Sequence, residues 1–150
     1  MKSVLIDTNT LILLIVGNLA PEKVGGKRLR EFDLDDLTRL NTLLLDFQRH
    51  VSLPNILTEA SNFLGAGSQQ LVQGAALALA DYSRFVDEVY VLSTHVVETF
   101  EYERLGLTDA AIHLIATQNV TVLTTDHHLY GRLAEKGVEV VNLMHFKTPI

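Results

Sequence analysis

The chain contains no cysteine, which excludes disulfides and thiolate-bound zinc and makes a reducing cytoplasm the expected compartment. It has no apolar run near the roughly 20 residues that a membrane span requires, so no membrane partner is expected. The opening Met1-Lys2-Ser3 leads into an apolar stretch that carries Asp7 and has no small-residue cleavage pattern after it, which argues against a secretory signal. Internal repeats and low-complexity tracts are absent, and no tight hairpin turn joins two candidate strands. Positive charge is also short: 12 Lys and Arg stand against 18 Asp and Glu, a net charge of −6. Taken alone, this opposes a nucleic-acid partner, because phosphate binding is driven by Lys and Arg. Two features offset it. Lys27, Arg28 and Arg30 form a local basic cluster, and an acidic site that holds a cation attracts phosphate.

What is present is enough for a full core. The 150 residues are 47% hydrophobic and 20% charged, the balance of a globular chain folding as one domain over 1–150. Short β-branched runs at 3–6, 51–53, 89–92, 120–124 and 138–141 read as strands. Helical apolar spacing fills the intervals: after Thr8 or Asn9 as cap to Val16, from Asp33 as cap to about His50, from Pro54 to Gly65, from Ser68 to about Phe85, from Thr108 as cap to Gln118, and from His127 to Lys136. The stretch 94–105 is left open between helix and irregular acidic chain. The segment 17–31 reads as a mobile surface loop. Alternation of strands and helices predicts an α/β domain with a parallel sheet of about five strands.

Four acids stand out in this frame. Asp7 closes the first apolar run, and Asp126 closes the run Val120 to Thr125. In an open parallel sheet, ligands bind beyond the carboxyl ends of the strands. Asp109 falls in the first turn of a helix, where the helix dipole favours a carboxylate, and Glu59 lies on the polar side of the helix that follows Pro54. Taken singly, each has a plain explanation: turn or cap for Asp7 and Asp126, first-turn acid for Asp109, solvated helix residue for Glu59. Taken together, carboxylates converging without a basic neighbour require cations, and oxygen ligands suit Mg²⁺ or Mn²⁺.

The run Leu5-Ile6-Asp7-Thr8-Asn9 resembles the opening motif of PIN-domain ribonucleases, the group that includes VapC-type toxins. Thr58-Glu59, Leu107-Thr108-Asp109-Ala110-Ala111-Ile112 and Val122-Leu123-Thr124-Thr125-Asp126 follow in that family's order. The resemblance covers nearly the whole chain. It departs from compact toxin members in the longer stretch from 17 to about 36 and in the sparse basic surface. It implies a three-layer α/β/α PIN-like fold and a divalent-metal-dependent endoribonuclease that hydrolyses RNA phosphodiester bonds. Asp7, Asp109, Asp126 and Glu59 would be its catalytic and metal-binding acids, Glu59 being the one that depends most on the resemblance. Thr8, Asn9 and Thr125 would orient the carboxylates, with helix capping the equal alternative for Thr8 or Asn9. Lys27, Arg28 and Arg30 would grip RNA or remain a solvated loop. A toxin role, a cognate antitoxin and a homodimer are further implications. Asp7→Asn is expected to abolish cleavage and leave the fold intact.

Two other classes compete. An aspartyl-nucleophile phosphatase at Asp7 would place a second Asp two residues on, but Asn9 stands there. A non-catalytic PIN-like adaptor would bind RNA or protein without needing the complete set of acids. The adjacent His127 and His128 are expected to point apart on their helix and so not to share a metal. Glu98, Glu101 and Glu103 are expected to form a solvated charge run.

Overall fold

In the computed structural model, which describes residues 2–147, five parallel strands run in the order β3-β2-β1-β4-β5. They are β1 (Ser3–Ile6), β2 (Arg49–Ser52), β3 (Asp87–Glu88), β4 (Val120–Thr124) and β5 (Val140–Asn142). Val4, Leu5 and Ile6 are fully or almost fully buried, as expected for a central strand covered on both faces. β1 pairs with β2 through Leu5 opposite Val51, and with β4 through Leu5 opposite Val122.

Helices α1 (Thr8–Leu19), α2 (Leu34–Leu44), α3 (Pro54–Leu64) and α4 (Ala75–Phe85) pack among themselves, as do α5 (Ser93–Val97), α6 (Tyr102–Leu105), α7 (Leu107–Ile115) and α8 (His127–Lys136). The first group connects β1 to β2 and β2 to β3. The second connects β3 to β4 and β4 to β5. The result is a three-layer α/β/α fold with one hydrophobic cluster running through it, from Leu5 and Ile6 to Leu129 and Leu133. In the first layer α1 approaches α2 closely at Gly17, where an added Cβ would come within 2.7 Å of Leu37 Cδ1. Among the described residues, no helix is long and apolar enough to cross a membrane.

Several sequence expectations shift by physical causes that are visible locally. Asp7 itself, not Thr8 or Asn9, caps α1: its carboxylate accepts from Thr10 N, and the helix continues through Gly17 to Leu19. Asp33 caps α2 as expected, with Asp36 completing a reciprocal capping box, but α2 stops at Leu44 and leaves Arg49 and His50 to β2. α4 begins at Ala75 after Gly74 in the left-handed region, Ser68 instead lying in a short 3₁₀ turn. α7 begins at Leu107 after Gly106, so Thr108 sits inside the first turn and is not the cap. It ends at Ile115, before the expected Gln118. The stretch 94–105 resolves into α5 and α6.

The third strand is Asp87–Glu88, not 89–92, because β2 ends at Ser52 and that residue pairs with Glu88. β3 thus falls two residues early, whereas β5 falls two residues late, its register fixed by Val122 opposite Val140. The segment 17–31 is a tethered arm: Pro21–Lys23 forms a 3₁₀ turn, Gly25 N donates to Leu29 O at 3.0 Å, and Leu29 and Phe32 are buried.

Candidate functional site

The strand order reverses between β1 and β4, since β1 leads toward β2 on one side and β4 toward β5 on the other. Connections leaving this point diverge to opposite faces, which opens a crevice at the carboxyl ends of the two strands. A crevice of about 290 Å³ lies against the segments that leave these strand ends, lined by Asp7, Thr8, Asn9, Glu59, Phe63, Leu105, Gly106, Leu107, Thr108, Asp109 and Asp126. Four chain segments thus bring all four candidate acids to one cavity, and no basic side chain lines it.

Asp7 is buried at the end of β1. Its Oδ1 accepts from Thr10 N at 3.0 Å and from Thr10 Oγ1 at 2.6 Å. Its Oδ2 accepts from the Thr124 hydroxyl and from Thr125 N at 3.3 Å. Four donors match the four lone-pair positions of a carboxylate. Burial nevertheless outweighs them and pushes the Asp7 carboxyl upward. Thr124 serves both acids: it donates to Asp7 and accepts from Asp126 N at 3.0 Å.

Asp126 caps α8, its Oδ1 accepting from His128 N at 2.8 Å and Leu129 N at 3.0 Å. Glu59, exposed on α3, accepts from Thr8 Oγ1 at 2.7 Å through Oε1. Asp109 differs from the others. Among the described residues, no donor reaches its carboxylate. Burial first, and then the charges of Asp7, Asp126 and Glu59, push it up to about 7. Gly106, with φ of +82°, turns the chain into α7 in a conformation that favours glycine. Asp109 follows in the first turn of that helix.

The unshared oxygens are therefore both oxygens of Asp109, Oδ2 of Asp126 and Oε2 of Glu59. Among the described residues, no three His, Asp or Glu side chains stand close enough to form a metal cage of their own. An all-oxygen set of few carboxylates in an open crevice suits a hydrated Mg²⁺ or Mn²⁺, which keeps several waters, better than a fully protein-enclosed ion. The saturation of Asp7 ranks it below Asp109 as a direct ligand.

The other expectations divide. Thr8 touches Glu59 directly, and Asn9 lines the crevice, exposed. Thr125 contributes its backbone N–H to Asp7. Sequence reading missed Thr10 and Thr124, the two hydroxyls on Asp7. Thr10 had a signal, since it stands three residues after an Asp that caps a helix. Thr124 had none until β4 was placed beside β1. Lys27, Arg28 and Arg30 are exposed, outside the cavity lining and, among the described residues, in no ion pair. Arg28 approaches the crevice indirectly, its guanidinium 5.8 Å from the ring centroid of Phe63.

Two expectations are overturned. His127 and His128 do not point apart: both are exposed, and their ring centroids are 4.0 Å apart, the rings bending together at the exposed start of α8. Glu101 is not solvated like Glu98 and Glu103. It is buried and bridged by Arg132, whose Nε and Nη2 donate to its two oxygens at 2.7 and 2.6 Å. Compared with known proteins, the chain matches no family model, no curated protein and no solved structure.

Proposed function

We propose that this protein is a divalent-metal-dependent endoribonuclease of the PIN type that hydrolyses RNA phosphodiester bonds. The observation that carries the reading is the convergence of Asp7, Glu59, Asp109 and Asp126 on one crevice at the reversal of the strand order, where burial and then repulsion from the other three push Asp109 up to about 7. A cation bound among these carboxylates would relieve the repulsion that, without it, favours a proton on Asp109. Asp109 and Asp126 would hold Mg²⁺ or Mn²⁺, with Glu59 beside them. When bound, such an ion polarises a phosphoryl oxygen and makes its water a nucleophile near neutral pH.

The chain's own residues supply the frame. Asp7 ties the ends of β1 and β4 together through Thr124 and Thr125, and so sets the separation of the acids. Thr8 fixes one oxygen of Glu59. Asp109, raised to about 7 when no ion is present, would release its proton as a cation binds beside it. No protein nucleophile is needed. On the resemblance alone, we assign the protein the role of toxin in a toxin–antitoxin pair, with a cognate antitoxin and a second copy of the chain as partners.

The test uses single-stranded RNA with Mn²⁺, with EDTA and with Asp109→Asn. Wild-type protein should cleave only with the ion, and the variant should lose roughly a hundredfold or more in rate, at least the loss seen for residues supporting a metal. Asp109→Asn is a cleaner probe than Asp7→Asn, because an amide at position 7 would set its own N–H groups against the donors now on Oδ2. Thermal melts add a readout without activity: Mn²⁺ at a hundred times its Kd should add about 2.7 kcal/mol to stability. RNA left intact by wild-type protein with Mn²⁺ would refute the enzyme.

A second reading, a non-catalytic RNA- or protein-binding adaptor, is favoured by the full set of donors on Asp7 and by the missing cage. Calorimetry showing no uptake of Mg²⁺ or Mn²⁺ would select it.

A further inference from the structure

The crevice has an acidic floor and a partly apolar rim. Phe63 lies one helical turn beyond Glu59 on α3, so both face the same side of that helix, and both line the cavity. A phenylalanine 45% exposed at the mouth of a carboxylate site is unexplained by the metal chemistry. The guanidinium of Arg28 lies 5.8 Å from its ring centroid, within the range of a cation–π contact. Arg28 belongs to the arm that Leu29 and Phe32 anchor in the core, so the guanidinium is carried on a fixed support. Lys27 and Arg30 flank it, exposed and, among the described residues, without ion pairs.

We propose that Phe63 and Arg28 form a stacking subsite for one unpaired base of single-stranded RNA, beside the carboxylates; the inference rests on the nuclease reading for the identity of the strand. An aromatic ring paired with an Arg is the common device for holding single strands without reading sequence, because every base presents a π-face. The basic arm would supply phosphate contacts on a chain whose net charge is −6. With a base on Phe63, the neighbouring phosphate is carried toward Asp109 and Asp126.

The experiment measures anisotropy of a labelled single-stranded RNA in Ca²⁺, using wild type, Phe63→Ala, Phe63→Tyr and Arg28→Ala. Phe63→Ala should weaken binding about tenfold, Phe63→Tyr should retain it, and Arg28→Ala should weaken it. An abasic oligonucleotide of equal charge should bind wild type as poorly as the base-bearing strand binds Phe63→Ala. Phe63 is exposed, and an unchanged melting curve confirms that the variant is folded. Equal binding by wild type and Phe63→Ala, or by abasic and base-bearing strands, overturns the subsite. The same sequence as DNA tests which strand is the ligand: tighter binding of RNA supports the proposal, and equal or tighter binding of DNA overturns its assignment to RNA. Mn²⁺-dependent cleavage with KM unchanged in Phe63→Ala removes the subsite and leaves the nuclease reading standing. Binding through Phe63 without cleavage removes the nuclease reading and leaves the subsite.

Discussion

Thr124, at the end of β4, donates its hydroxyl to Asp7, at the end of β1, across 117 positions of sequence. The same oxygen accepts from the backbone of Asp126, so one side chain joins two of the four acids. Thr124→Val removes the donor and leaves Asp126 N unpaired at a partly buried site. The expected cost is about 1.5–3 kcal/mol, the usual range for a hydrogen bond to a charged group, read as a lower denaturation midpoint with an unchanged slope. Thr124→Ser should restore most of it. A valine variant as stable as wild type would show that the hydroxyl is dispensable.

Asp109 sets a pH dependence with a definite sign. Its carboxyl moves from 3.8 to about 7 on folding. Between those values, the folded protein holds a proton that the unfolded chain has released. Its contribution to stability is complete below 3.8 and is lost as pH rises through 7. At about 1.4 kcal/mol per pH unit, the upper limit is about 4 kcal/mol, and Asp7, also raised, acts in the same direction. Asp109→Asn in EDTA should therefore be more stable than wild type at pH 8, and its advantage should shrink to less than half at pH 5. Denaturant unfolding at the two pH values checks this, and equal differences at both would contradict it.

Glu101 acts in the opposite sense. The Arg132 guanidinium holds its carboxyl below the ordinary range. Its stabilisation is therefore present above about 4.5 and lost as pH falls. The pair links the start of α6, which leads to Asp109, with α8, which Asp126 caps. Arg132→Met should lower the melting temperature by several degrees at pH 7, because a buried carboxylate is left without its partner. Glu101→Gln combined with Arg132→Met should recover part of the loss. A single variant that melts like wild type would assign the pair no structural weight.

Tyr82 on α4 buries its hydroxyl without a partner among the described residues, beside His50, whose ring centroid is 6.2 Å away. Burial pushes the Tyr82 phenol strongly upward and the His50 imidazole downward, so both stay neutral near pH 7. Tyr82→Phe removes an unpaired polar atom from the packed layer. It should be neutral or stabilising by up to about 1 kcal/mol. A loss of stability in a denaturant titration would reveal a partner for the hydroxyl.

The sequence by itself determined whatever depends on local order. Ser3–Ile6 and Val120–Thr124 are strands by composition and length, His127–Lys136 is a helix bounded by Asp126 and Gly137, and the alternation of elements dictates a parallel sheet. Asp7 and Asp126 were placed at strand ends by that same logic. Tertiary structure alone decided the rest, because those facts depend on register between distant segments. Pairing β4 beside β1 put Thr124 on Asp7. The two-residue overlap of β2 with β3 cut short the run 89–92. Burial, and then the close approach of Asp7, Asp126 and Glu59, raised Asp109, causes invisible in the spacing of residues 7, 59, 109 and 126. Packing also turned Glu101 from one acid in a charge run into half of a buried ion pair, and brought Phe63 and Arg28 to the rim of the same crevice.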